Sequence, residues 1–136
     1  MYDLSTLELR PNHKHWPKLL SQIHDPPKKL YCRGNISLLN SSYFVVVGTR
    51  KLTSYGKETA QQIVRDLANN GFPVVSGLAL GIDAVAHQTT SDCEGKTIAV
   101  LKSDVGDRSI GTRTNFPSAQ NILKDDGLLL SKYSDK

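Results

Sequence analysis

A chain of 136 residues with 38% hydrophobic and 22% charged side chains is long enough for one domain with a real core, too short for two, and too apolar to be disordered. No apolar run approaches a membrane span, and Met1-Tyr2-Asp3 is not the basic, then apolar start of a signal peptide, so a cytoplasmic protein is expected. The formal charge of +4 and pI near 9.1 lean toward a polyanionic partner without choosing one. From Met1 to about Pro11 there is no clear periodicity, which reads as an arm or a short strand. Pro17 suits the first turn of a short helix whose apolar face is Trp16, Leu19, Leu20 and Ile23, and Pro26-Pro27 stops it. An extended piece over Leu30 to Cys32 follows, expected at the sheet edge, and Gly34-Asn35 turns the chain out of it.

The run Tyr43 to Val47 has the continuous β-branched character of a strand covered on both faces and is expected to be the first core strand. Thr53 or Ser54 caps the next helix, in which Ala60, Ile63, Val64 and Leu67 recur at three- and four-residue steps, and Asn69-Asn70-Gly71 ends it. The plan then repeats. Phe72 to Val75 runs into Ser76-Gly77-Leu78-Ala79-Leu80-Gly81-Ile82-Asp83 and a helix carrying Val85, Ala86 and His87; Thr97 to Leu101 makes a third strand. A polar stretch from Lys102 to Asn115, with three basic side chains, precedes a short helix opened by Phe116-Pro117-Ser118, and Leu128 to Leu130 makes a fourth strand. Alternating strands and helices imply α/β architecture, an open and mainly parallel three-layer sheet with helices on both faces. Residues 1–136 are expected to form one domain, with a lead-in over 1–40 and a core over 43–131.

Ligands of such sheets sit beyond the carboxyl ends of the strands, so the turns after Val47 and Val75 are the expected site. Gly48 lets the first turn tighten and lets an anion approach backbone N–H groups, with Thr49, Arg50 and Lys51 following. The alternative is that Gly48 merely permits the turn and Arg50 is a solvated charge. In the second turn Gly77 and Gly81 lead into a helix N-terminus, where unpaired N–H groups and the helix dipole favour an anion. Asp83 and His87 stand four apart on that helix and are spaced to meet; a dipole-compensating aspartate and a packed histidine are the plainer reading.

Other chemistries are excluded letter by letter. Gly48-Thr49-Arg50 lacks the glycines of a dinucleotide turn, and Ser76 stands where its acidic residue belongs. Gly81-Ile82-Asp83 is not the Gly-Lys-Ser/Thr of a phosphate loop. His13, His15 and His24 have no acidic or thiolate neighbour at metal-ligand spacing, and Cys32 and Cys93 read as free thiols. No cofactor or metal is expected.

Three stretches resemble the DNA-processing protein A (DprA/Smf) family of single-stranded DNA binders. Val47-Gly48-Thr49-Arg50 is similar to its Gly-Ser/Thr-Arg turn, and Ser76 through His87 to its longer and more specific second signature; Asp25-Pro26-Pro27 and Leu30 through Asn35 resemble the lead-in to its Rossmann-like domain. The match extends through Gly95 to Leu101, Asn115-Phe116-Pro117 and Gly127 to Ser131. The resemblance implies a Rossmann-like domain, not an enzyme, that binds single-stranded DNA in a basic groove, protects it during transformation and helps load a RecA-type recombinase, with homodimerisation a further property of the family. It implies that Arg50 takes the place of the family's DNA-binding arginine and that Arg113 and Phe116 stand where members use a basic and an aromatic residue. Together with the anion site read from the two turns, the expected DNA- and phosphate-binding residues are Gly48, Thr49, Arg50, Lys51, Ser76, Gly77, Gly81, Arg113 and Phe116. Phe116 also reads as a core anchor for the helix it opens. Family members continue past the strand matching Leu128 to Leu130, and Lys132 stands where they usually have glutamate. The runner-up, from another class, is a Rossmann-like protein that binds or hydrolyses nucleotide derivatives, although the Pro-Gly-Gly-x-Gly-Thr turn of those hydrolases is missing and Gly111-Thr112 is only a faint echo.

Overall fold

The computed structural model describes residues 6–49, 51–77, 81–102, 105–106 and 115–133, the last span from 118 onward for side chains. The elements are β1 (Leu7–Leu9), β2 (Leu30–Gly34), β3 (Phe44–Val45), α1 (Ser54–Asn69), β4 (Val74–Ser76), α2 (Ile82–Asp92), β5 (Thr97–Val100), α3 (Asn115–Lys124) and β6 (Leu128–Ser131), with 3-10 turns at Lys18–Gln22 and Ile36–Asn40. They build one six-stranded sheet in the order β1-β2-β6-β5-β4-β3. Strands β3 to β6 are parallel, in the registers Phe44 to Val74, Val74 to Thr97 and Ile98 to Leu128, while β2 joins β6 and β1 joins β2 antiparallel. This is the expected α/β Rossmann-like sheet with an antiparallel wing.

Side-chain alternation divides the sheet into two faces. Val74 packs with Val64 of α1 and Ala86 of α2, and Ala99 and Leu129 pack with Ala119, Ile122 and Leu123 of α3. The neighbours Val75, Ile98 and Leu128 point the other way, into a cluster with Leu9, Trp16, Leu30, Leu38 and Leu39. Three layers result, as expected, but unequally: the α-helices share one face, and the 3-10 turns with the N-terminal segment cover part of the other. What they leave open there is an apolar groove of about 860 Å³, lined in part by Leu19, Leu20, Ile23, Tyr43, Val100 and Leu130.

Several local expectations hold. Thr53 caps α1, its Oγ1 accepting from Gly56 N at 3.0 Å, which satisfies one of the orphan donors of the first turn. Helix α2 and the strands at Thr97 and Leu128 fall where the alternation placed them. Others need correction. The expected core strand Tyr43 to Val47 is only Phe44–Val45, and it is the edge of the sheet: it pairs with β4 alone, and Phe44 and Val45 are 46% and 64% exposed. The run of valines signals extended backbone, but which side of a strand is covered depends on partners far away in sequence. Conversely Leu30 to Cys32, expected at the edge, lies inside the sheet between β1 and β6. The helix expected after Pro17 is a single 3-10 turn with no buried residue; Leu19 is 75% exposed, and of its expected apolar face only Trp16 is in the core. Helix α3 starts at Asn115, before the proline, which is tolerated in a first turn because its missing N–H has no helical partner there.

Candidate nucleic-acid interface

The four parallel strands end on one edge of the sheet, so the segments that leave β3, β4, β5 and β6 are brought together there. The first turn leaves β3 through Val46, whose N–H bonds to Val75 O at 2.8 Å, and reaches exposed Gly48 and Thr49. A Cβ on Gly48 would lie 2.6 Å from Cγ1 of Ile82 and 3.0 Å from its Cβ. Glycine is required because the first residue of α2 packs over the turn. The carbonyl of Thr49 accepts the Ile82 N–H at 3.0 Å, so one N-terminal donor of α2 is spent on joining the two turns. Thr49 Oγ1 accepts from Lys51 N at 3.0 Å, a local turn that leaves the exposed Lys51 ammonium on the rim.

In the second turn Ser76 is 2% exposed. Its Oγ lies 2.5 Å from Val46 O and 2.9 Å from Asp83 Oδ1, so its one proton is shared between two acceptors. The Ser76 hydroxyl thus joins the end of β3 to the first turn of α2. Gly77 sits against the same carboxylate, a Cβ there falling 2.7 Å from Asp83 Oδ2. Gly81, at φ 79° and ψ −131°, is the N-cap of α2, and its carbonyl accepts from Val85 N at 3.0 Å; a side chain is strained in that conformation. Among the described residues no acceptor meets the N–H groups of Asp83 and Ala84.

Asp83 and His87 do not bond to each other among the described contacts. Asp83 serves Ser76, and His87 Nε2 lies 2.5 Å from Gly77 O. His87 is 6% exposed, and burial pushes its pKa below the ordinary imidazole value, opposed by the bond to Gly77 and by the charge of Asp83. Arg50, Leu78 to Leu80 and Arg113 lie outside the described residues, as does the side chain of Phe116, whose backbone belongs to the first turn of α3.

Two basic side chains at this edge are not among the expected site residues. Lys102 follows β5 and Lys132 follows β6, both exposed and both on the rim of the apolar groove; their position directly after a parallel strand was the available signal. Arg33 has no role of its own in the sequence reading, standing only within the lead-in stretch Leu30 to Asn35. It is buried, and Nη1 donates to Val105 O at 3.0 Å, anchoring the start of the segment that carries Arg113. Elsewhere, the rings of His13 and His15 lie 5.6 Å apart, and among the described residues no group of three or more His, Cys, Asp or Glu is disposed to hold a metal. Cys32 and Cys93 are free thiols, and burial raises the Cys32 pKa to about 11. No described helix is long and apolar enough to cross a membrane.

Comparison with known proteins gives a consistent result. The model of the DNA recombination-mediator protein A family matches residues 8–136. DNA processing protein DprA of Bacillus subtilis (strain 168) is 35% identical over 121 residues, which cover 88% of this chain and 40% of the relative. Protein Smf of Escherichia coli (strain K12) is 33% identical over 131 residues, 91% of this chain and 34% of the relative. The X-ray structure of DprA from Streptococcus pneumoniae superposes with a TM-score of 0.84 at 32% identity, over 95% of this chain and 44% of that one. A structure of DNA processing protein A from Helicobacter pylori, described for its single-stranded DNA binding mode, gives 0.76 at 32% identity, over 98% and 58%. The chain therefore spans about 40% of the length of curated relatives that it matches.

Proposed function

Because this chain belongs to the DNA recombination-mediator protein A family, we propose that it is a cytoplasmic binding module, not an enzyme, that holds and protects single-stranded DNA during DNA uptake and recombination. The observation that carries the proposal is the pairing of the two turns. Thr49 O takes the Ile82 N–H and Ser76 ties β3 to α2, so the described parts of the two turns are joined at the carboxyl edge of a parallel sheet, with Lys51 exposed. The DNA-binding mode described for the Helicobacter pylori relative supports the choice of ligand.

In this reading the backbone donors of Gly48, Thr49, Gly77 and the Gly81 end of α2 receive phosphate oxygens. Ser76 supports them from beneath. Arg50, Lys51 and Arg113 supply charge, and Phe116 supplies a face on which a base stacks. Lys102 and Lys132 extend the basic rim. Asp83 and His87, both occupied by internal bonds, keep the turns in shape rather than perform chemistry. Hand-over of the strand to a RecA-type recombinase and self-association of the chain are further parts of the proposal; a strand-exchange assay with purified recombinase and sedimentation velocity test them separately.

Titration of a labelled oligothymidylate by fluorescence polarisation, with unlabelled duplex as competitor, tests the ligand assignment. Binding that duplex of equal length displaces poorly supports it. Absence of binding at low salt, or equal displacement by duplex, overturns it.

A further inference from the structure

We infer that His87 is a positioning residue for the second turn: its Nε2–H clamps the Gly77 carbonyl, and one water molecule in a cavity between α2 and α3 serves its Nδ1. The inference rests on the reading that this turn binds phosphate, and it assigns the side chain that fixes the turn from below.

The bond to Gly77 sets the protonation pattern. A carbonyl oxygen only accepts, so Nε2, 2.5 Å from Gly77 O, carries the proton. Burial keeps the ring neutral near pH 7. A neutral imidazole has one N–H, so Nδ1 is a bare acceptor, and among the described residues it is the buried side-chain nitrogen or oxygen without a hydrogen-bond partner. An acceptor left so carries a desolvation penalty.

The structure supplies a remedy. His87 lines a cavity of about 30 Å³ together with Thr97, Ser91, Ser118, Asn121 and Asp125. That volume holds one water, and its walls are polar enough to give the water further partners. Asp125 accepts from Ser91 Oγ at 2.8 Å, which closes the far wall between α2 and the end of α3. The water donates to Nδ1 and turns its second proton and lone pairs toward these groups. The residue that holds the Gly77 peptide is thus braced against the helix that begins with Asn115 and Phe116, and the two halves of the proposed interface share one polar contact. Because His87 is 6% exposed, its effect on DNA passes through Gly77, not through contact with the strand.

Two substitutions separate this role from packing. His87→Leu keeps the approximate volume and removes the donor; His87→Gln places an amide N–H within reach of the Gly77 carbonyl. In the unbound wild-type chain, long-range nitrogen–proton NMR shows a protonated Nε2 and an unprotonated Nδ1 near pH 7. In His87→Leu, hydrogen exchange at Gly77 and Gly81 accelerates by about tenfold, the scale of one unmade buried hydrogen bond, and oligothymidylate affinity falls by a similar factor with the salt dependence unchanged. In His87→Gln both return to within about threefold of wild type. A protonated Nδ1 in the wild type, or turn exchange in folded His87→Leu equal to wild type, or His87→Gln no better than His87→Leu, overturns the assignment. If the wild type fails to bind oligothymidylate, the DNA reading falls by itself, and the NMR and exchange results still decide His87.

Discussion

Gly48→Ala offers a sharp test of how the two turns are joined. The new methyl would lie 2.6 Å from Ile82 Cγ1, 3.0 Å from its Cβ and 3.2 Å from its Cγ2. A β-branched side chain at the start of a helix has little rotamer freedom with which to give way, so either the turn or the N-terminus of α2 must shift. Forced overpacking of this kind costs about 1–3 kcal/mol, and for a chain of this size that lowers the melting temperature by roughly 3–10 °C. Ile82→Ala removes both γ carbons and is expected to relieve the clash. The double variant should therefore be more stable than the sum of the two single changes predicts, by about 1–2 kcal/mol, as residues in direct contact commonly are coupled. Thermal denaturation of the four proteins by circular dichroism measures the cycle. A Gly48→Ala protein within about 0.5 kcal/mol of wild type, or strict additivity in the cycle, would refute the packing argument. The same result would return Gly48 to the simpler role of leaving room for an anion.

Protonating His87 is disfavoured in the fold, so the unfolded chain binds more protons below its ordinary pKa of 6.5. Stability is therefore retained above that value and lost as pH falls below it toward the depressed folded value, with a slope of up to about 1.4 kcal/mol per pH unit. Asp83 on the same helix and Asp125 across the cavity are the nearby carboxyl groups; chemical denaturation at pH 7, 6 and 5 should show the loss in wild type and a flatter profile in His87→Gln. Arg33→Met removes the bond to Val105 O and should cost about 1.5–3 kcal/mol, the range for a hydrogen bond from a charged group, with weaker oligonucleotide binding at temperatures where the protein stays folded; unchanged binding would detach the anchor from the interface. Val45→Lys places a charge on the exposed edge strand β3 and should reduce self-association in sedimentation velocity while shifting stability by less than about 0.5 kcal/mol; undiminished association would locate it on another surface.

Local chemistry was legible in the sequence wherever the partners are near in the chain. Thr53 announces the start of α1 because a cap needs only the amides that follow it, and Gly56 supplies one. The β-branched runs at Val74 and Thr97 announce strands in the same way. Order within the sheet was not legible, because it depends on which strands meet. Tyr43 to Val47 reads as a buried strand, yet no described strand lies beyond β3, while Leu30 to Cys32 is held inside by β1 and β6. Leu19 and Ile23 fit an amphipathic pattern but face an open groove rather than the core. At the candidate interface the two glycine turns were visible as motifs. Their junction was not: Gly48 meets Ile82, Ser76 meets Val46, and His87 meets Gly77, contacts between separate elements that no spacing rule connects. The i, i+4 spacing of Asp83 and His87 allowed a pair, but the plainer reading of a packed histidine is the one the structure shows, since each is bonded to a residue of the second turn.

The salt dependence of single-strand binding tests the central claim most directly. Three phosphate contacts from Arg50, Lys51 and Arg113 predict a slope of about −2 in a plot of log affinity against log salt concentration, since each contact to a single strand contributes about 0.7. Arg50→Ala and Lys51→Ala should each reduce that slope by about 0.7 while the protein keeps its native circular dichroism spectrum. An affinity that does not change with salt, or a slope that neither substitution alters, would contradict the assignment of these turns to the DNA backbone.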